Sequence, residues 1–414
     1  MMGTTKDWED EQRERGYCYV GDKCVCADCF NDYAIEKFID GAAAEFFCDY
    51  CGRDEPGRRI AAPIDDVLGF IIAGLRTQYG EADEELPYES AEGGYQGRVL
   101  DSRDMVEAKV PVAEGREGLL EDIVRSLPDR PWCQRDYWGL RPEEALGWGW
   151  TEFCRTVKHE TRYLFTVAPD RDQAYRGPEE IRPADMLDQL GALVLGTELL
   201  HEVPVGQSVF RARVHERTDH PGKASEFGPP PVARARFANR MSPAGIPMFY
   251  GAFDETTAKE ETRDLEACNI LSVARFEVAV SLRVLDLSKL PDVPSIFDQD
   301  KTTVRPGLLF LHQFARDIAK CVKKDGREHI EYVPTQVVTE FFRRVFTEPD
   351  GQSVDGILYT SSKTGAGCCV LFLDEKDVRD EGDDDAESRA RLVLPRGAIA
   401  TYGLKWAPQQ QNPA

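Results

Sequence analysis

Apolar positions first recur at helical spacing just past residue 60. Val67, Leu68, Ile71, Ile72 and Leu75 fall on one face after Pro63, with Asp65 and Asp66 where a helix N-terminus favours anions. The same period predicts helices over Gly118–Leu127, Pro142–Lys158 and Ala184–Leu200; in the last, Met186, Leu190 and Val194 form one stripe. Residues 83–117 break the pattern. They are polar and glycine-rich around Glu92–Gly97 and read as loop with short elements. Residues 60–200 are therefore expected to be mainly α. The period changes after Pro204. Val209–Val214, Met248–Ala252, Phe276–Leu287, Ile357–Ser361 and Cys368–Leu373 are short β-branched, aromatic or aliphatic runs and read as strands. Helices are expected between them, over Thr256–Leu265, Leu308–Lys324 and Thr335–Val345. The mixture is α+β. Asp374–Arg389 is an acidic run that reads as a solvated loop between strands.

Length and charge narrow the picture. A chain of 414 residues, at about 150 per domain, holds two or three domains. With 74 acidic against 51 basic side chains, the formal charge is −23. Such a surface repels phosphate backbones, so stable binding to nucleic acid or to an anionic membrane is not expected. The N-terminus lacks a basic stretch followed by an apolar core, and the apolar run Val67–Leu75 is too short to span a bilayer. The expected location is the cytoplasm, where the twelve cysteines are thiols or metal ligands rather than disulfides.

Six of those cysteines lie in the first 51 residues. Cys26-Ala-Asp-Cys29 and Cys48-Asp-Tyr-Cys51 are two C-x-x-C pairs, a spacing that suits a closed tetrahedral Cys₄ site with structural Zn²⁺. Cys24 is an alternative to Cys26. Four protein ligands leave no open position for a substrate.

The densest chemistry lies in residues 206–262. Arg211, Arg213, Arg234, Arg236 and Arg240 form a basic cluster in an acidic chain. Guanidinium forks suit a diphosphate. By composition alone, pairing with surface carboxylates is the commoner fate of such arginines. The order of the segments shifts the balance: Phe210-Arg211, Pro229-Pro230-Pro231, Arg236-Phe237, Phe249-Tyr250-Gly251-Ala252, Thr257–Glu261 and, far downstream, Gly356–Ser361.

That ordered set resembles the RES domain over residues 204–405. Ala235 stands where the family often has Gly, and the loop between Arg236 and Tyr250 is longer. The resemblance implies an ADP-ribosyltransferase-like fold that consumes NAD⁺ as substrate and cleaves its nicotinamide–ribose bond, with water or phosphate as acceptor. It implies catalytic roles for Glu261, Tyr250, Arg236 and Ser361, and substrate binding by Arg211, Arg236, Tyr250 and Ser361. Glu261 would stabilise the oxocarbenium-like ribose, Tyr250 would stack on nicotinamide, Arg236 with Arg211 would hold the diphosphate, and Ser361 would orient the sugar or the amide. Glu255 and Glu260 compete with Glu261, and Ser362 with Ser361.

The front half resembles an N-terminal domain found fused to RES domains and related to HEPN helical bundles. The matching pieces are the paired C-x-x-C, Ala62–Asp66, Leu86-Pro87-Tyr88, Glu92–Gly97 and Val157–Tyr163. Many HEPN domains are ribonucleases using R-x₄₋₆-H, but Arg155 and His159 are separated by three residues, so Lys158, His159 and Arg162 are read as structural or interfacial. The expected organisation is a Cys₄ zinc module over 1–60, a HEPN-like helical domain over 61–203, a RES domain over 204–405 and a tail over 406–414. The chain is then an NAD⁺ glycohydrolase or phosphorylase, a growth-arrest toxin or defence effector controlled by its N-terminal half. Alternatives are ADP-ribosyl transfer to a macromolecule, a non-enzymatic zinc-containing interaction protein and a HEPN ribonuclease. Oligomeric state stays open.

Overall fold

Cysteine pairs and an apolar helix stripe make the first core. In the computed structural model, which describes residues 15–91, 93–167, 180–216, 218–262, 270–320, 322, 326–383 and 390–403, β1 (Cys24–Cys26) pairs with β2 (Ala61–Pro63). Asp32 caps α1 (Tyr33–Ala42), its carboxylate accepting from the Ala34 and Ile35 amides. α2 (Ile64–Arg76) buries Val67, Leu68, Ile71, Ile72 and Leu75, the expected stripe. The segment read as loop holds more order than its glycines suggest: β3 (Tyr79–Glu81), β4 (Tyr88–Glu89), β5 (Gly94–Tyr95) and α3 (Ser102–Lys109). α4 (Glu117–Ser126) follows, and β6 (Trp132–Gln134) pairs with β3.

Residues 1–142 and 293–306 group as one compact unit, and residues 143–292 with 307–414 as a second. The 293–306 segment is an arm of the later chain that completes the first core. Phe297 is 1% exposed among Leu68, Ile71 and their neighbours. A Cβ on Gly74 would sit 2.4 Å from the Phe297 ring, so glycine makes room for it. Tyr33 donates to Asp298 at 2.7 Å.

The second unit begins with α5 (Pro142–His159) and α6 (Met186–Gly196), helices placed with the helical middle on sequence grounds. Its centre is a ten-stranded mixed sheet. The strands are β7 (Leu200–Val203), β8 (Ser208–His215), β9 (Phe249–Ala252), β10 (Ile270–Val278), β11 (Leu282–Asp286), β12 (Gly356–Thr360), β13 (Gly367–Leu371), β14 (Val378–Asp380), β15 (Leu392–Leu394) and β16 (Ile399–Gly403). The order is β14-β15-β10-β8-β9-β13-β12-β11-β7, with β16 also on β10. β11–β12 and β14–β15 are parallel; the other pairs are antiparallel. Helices α7 (Glu255–Thr262), α8 (Arg305–Ala319) and α9 (Val333–Arg344) join them. The chain is α+β.

Three differences from the sequence pattern have physical reasons. The run Phe276–Leu287 is two strands, because the chain turns over Ala279–Ser281 between β10 and β11. Leu200, expected at a helix end, opens β7, whose pairing with β11 outweighs the helical period. The acidic run carries β14, held by its parallel partner β15. The helix expected over Leu308–Lys324 stops at Ala319 and the one expected to end at Val345 stops at Arg344, while Leu265 and Lys324 lie outside the described residues. Cys268, Cys321, residues 384–389 of the acidic run and the 406–414 tail also lie outside them.

Because the arm fills the first core, Phe297→Ala is expected to cost the first unit about 3–5 kcal/mol. Denaturant unfolding followed by the fluorescence of buried Trp132 reads this; an unchanged midpoint would contradict the arm's structural role.

Candidate functional site

Two clusters of chemically able side chains stand out, one in each unit. In the first, the Sγ atoms of Cys26, Cys29, Cys48 and Cys51 all lie within 4.8 Å of one another. Cys26 is 3.8 Å from Cys29 and 3.4 Å from Cys51, and Cys29 is 3.6 Å from Cys48. A tetrahedron of Zn–S bonds near 2.3 Å has edges of about 3.8 Å, so the donor set fits such an ion. Cys24 is not part of the cluster. The loops are fixed by their own backbone. The Cys24 amide donates to Asp49 at 2.6 Å, the Cys26 amide to Cys48 Sγ at 3.3 Å, and the Gly52 amide to Cys48 O at 2.9 Å, with Gly52 in the left-handed region. Below them, buried Asp122 on α4 accepts from Lys23 and, at 2.8 Å, from Tyr50. Hydrogen bonding with Cys29 and Cys48 holds the Cys26 thiol well above its ordinary range, and hydrogen bonding with Cys26 and Cys29 holds Cys48 well below it. Arg116 lies beside Cys29, which raises its own pKa.

The second cluster lies in the second unit, around a cavity of about 840 Å³, within the usual range for small-molecule sites. Its floor comes from four adjacent strands. Tyr359 on β12 is level with Cys368 on β13, Cys368 with Ala252 on β9, and Ala252 with Phe210 on β8. β8 and β9 pair only at Phe210–Ala252, and Arg211 and Arg213 of β8 line the cavity. Arg234, Arg236 and Arg240 reach it from the loop before β9, and Lys363 from the β12–β13 turn. Glu261, at the end of α7, is the single carboxylate among six cations on the described wall.

The arginines do not take the fate that composition favoured. None of the five forms an ion pair with a described carboxylate. Arg213 donates to Gly228 O at 3.1 Å and Arg240 to Ile318 O at 2.9 Å. Arg211 lies over the Phe249 ring, 4.9 Å from its centre, and its Nη1 is sealed from solvent with no hydrogen-bond partner. Burial, and then repulsion by Arg213, push the Arg211 guanidinium well below its ordinary pKa. An anion entering the cavity would relieve both.

The structure brings Arg211, Arg236, Tyr250 and Glu261 to this one wall. Tyr250 shares a 2.9 Å hydrogen bond with Ser242 and accepts from the Met241 amide at 3.3 Å, and burial pushes its phenol up to about 12. Ser361 is placed differently from the other expected residues. It is 2% exposed and off the cavity wall, and its Oγ donates to Glu261 Oε1 at 2.5 Å. The same Oγ accepts the Lys363 and Thr364 amides, each at 3.2 Å. Of the competing residues, Glu255 pairs with Lys259 at 2.7 Å, while Ser362 lies on the wall.

Two wall residues escaped the sequence reading. Tyr359 is two positions before Ser361, and period-two alternation along the strand could have exposed it. Lys363 belongs to a Lys-Thr-Gly string with no chemical motif around it; its role needs the fold, where its Nζ donates to Glu260 O at 2.7 Å.

Residues 208–391 match the family model for the RES domain, and residues 42–171 match HEPN/RES N-terminal domain 1. The chain carries a RES domain behind a HEPN/RES N-terminal domain. No curated protein and no solved structure matches the chain. A RES domain implies NAD-related enzyme activity, with NAD⁺ as substrate. Of the HEPN-type residues, Arg155 contacts Glu152 and Glu160, and Lys158 donates to Glu331 at 2.7 Å. Among the described residues no helix is long and apolar enough to cross a membrane.

The cysteine geometry generates a direct test. Elemental analysis of the purified chain is expected to find one divalent metal per chain, and Cys48→Ser to lose it along with thermal stability of the first unit. A wild-type chain that is metal-free and equally stable would contradict the assignment.

Proposed function

We propose that the RES domain cleaves the bond between nicotinamide and ribose in NAD⁺. The observation that carries this reading is a cation-rich cavity with one carboxylate on its described wall, where Nη1 of half-buried Arg211 has no hydrogen-bond partner. Arg211 and Arg236 would take the diphosphate, whose oxygens match guanidinium donors. Tyr250 would offer its ring to nicotinamide.

The chemistry follows from charge. Breaking the C1′–N1 bond sends its electron pair to the pyridinium nitrogen, which leaves neutral. Positive charge appears on the ribose, as an oxocarbenium-like centre. Glu261, fixed by Ser361, stands ready to stabilise that centre, and a carboxylate held in place needs no reorganisation as the charge develops. Water then bonds to C1′ and loses a proton, giving ADP-ribose. Phosphate bonding there instead gives a phosphorylated sugar. The cation-rich wall favours the anionic acceptor on electrostatic grounds.

Control by the N-terminal half belongs to the same proposal. A domain of HEPN/RES type suggests a toxin–antitoxin-like setting, and NAD⁺ loss would arrest growth. The Cys₄ cluster would then hold Zn²⁺ as a structural staple of that half.

Nicotinamide release from NAD⁺, with and without phosphate, tests the reading. Glu261→Ala is expected to lower kcat about 100-fold or more at unchanged folding, and Arg211→Ala to raise KM. Release that is absent from the wild type, or equal in Glu261→Ala, would overturn it. Label from NAD⁺ remaining on a macromolecule would redirect it to ADP-ribosyl transfer.

A further inference from the structure

The cavity has aromatic surface on its sheet floor, at Tyr332 just before α9, and on the loop before β9. Tyr250 and Tyr359 lie half-buried on the sheet floor. Phe237 lies on the loop that forms the lip, where it is 85% exposed although it lines the cavity. A lone exposed Phe on an ordinary surface means little. This one is held out by a loop that is tied down on both sides. The Gly245 amide donates to Ala235 O at 2.7 Å, and Asn239 and Ser242 exchange amide hydrogen bonds of 2.7 and 3.3 Å. Gln336 on α9 donates to Asn239 O at 2.8 Å, and Thr335 donates to Arg240 O. What remains between the ties is the short tip carrying Arg236 and Phe237. The ring thus stays in water because the backbone holds it there, and not because the loop lacks partners.

A dinucleotide has the matching layout: two flat rings joined through a charged diphosphate. With the scissile end beside Glu261 and the tyrosines, and the diphosphate on the arginines, the second ring reaches the lip. We propose that Phe237 is the stacking platform for the distal base of the dinucleotide, and that it sets the preference for a dinucleotide over a mononucleotide. The inference rests on the NAD⁺ reading above and adds a specificity residue to it. A pre-positioned ring loses little freedom on binding, and a base laid on it removes apolar surface of both partners from water. Arg236, next in the chain, brings the phosphate contact and the ring contact to the same tip.

Steady-state nicotinamide release by the full chain, with inhibition by ADP and by nicotinamide mononucleotide, tests this. Phe237→Ala is expected to raise KM for NAD⁺ and the inhibition constant of ADP about ten-fold. It should leave kcat within two-fold and the inhibition constant of nicotinamide mononucleotide, which lacks the distal base, unchanged. Phe237→Trp should restore the wild-type KM. An unchanged KM, a fall in kcat alone, or equal shifts for both inhibitors would overturn the proposal. If the wild type releases no nicotinamide, the NAD⁺ reading fails by itself, and direct titration with ADP decides on Phe237. About ten-fold weaker binding by Phe237→Ala then supports the platform, and equal binding overturns it.

Discussion

A buried guanidinium with nothing to pair with is expensive, and folded chains keep one only where the surrounding structure compels it. Arg211 meets that cost at one atom: the residue is half-buried, and its Nη1 is sealed without a partner. Its strand is held on one side by β10, along the full length of β8, and on the other by a single level contact with β9. The long ladder fixes the backbone that carries the side chain to the cavity wall. Arg213 two residues on adds like charge to the same wall. The cavity is therefore a region of positive potential inside a molecule of net charge −23. The sign contrast gives an anionic substrate a local destination on a surface that otherwise repels it.

Against those cations stands one carboxylate, and much of the local structure serves to place it. Asp254 accepts the Thr257 amide at 2.8 Å and so starts α7 directly after β9. Thr257 shares a 2.9 Å hydrogen bond with Thr364. Lys363 reaches the carbonyl of Glu260, and Ser361 reaches the carboxylate of Glu261. Gly365, at φ +74°, allows the tight turn that puts Ser361, Lys363 and Thr364 within reach. The helix end and the hairpin turn are thus clasped at three points. Ser361 touches the carboxylate of Glu261 and is not among the residues that line the cavity.

Local features were readable from the chain, and long-range ones were not. The C-x-x-C pairs are legible because two thiols three residues apart are able to share one ion. The α2 stripe is legible because a 3.6-residue period buries it. Arg211 and Tyr250 were found through the order of their segments. The fate of the arginines was not readable: pairing with carboxylates depends on which side chains the fold brings near, and here it brings none of the described ones. The hydrogen bond from Ser361 to Glu261 was not readable, because the two residues lie a hundred positions apart. The arm over 293–306 is equally silent, since Phe297 belongs to a core whose other members lie more than 160 residues earlier.

The proposed cleavage requires a dinucleotide in the arginine-lined cleft with its scissile bond beside the carboxylate. The most direct measurement is a crystal structure of the Glu261→Gln chain soaked with NAD⁺. The account predicts the diphosphate on Arg211 and Arg236 and the nicotinamide ribose against position 261. Dinucleotide density elsewhere on the molecule, with Arg211 still unpartnered, would contradict it.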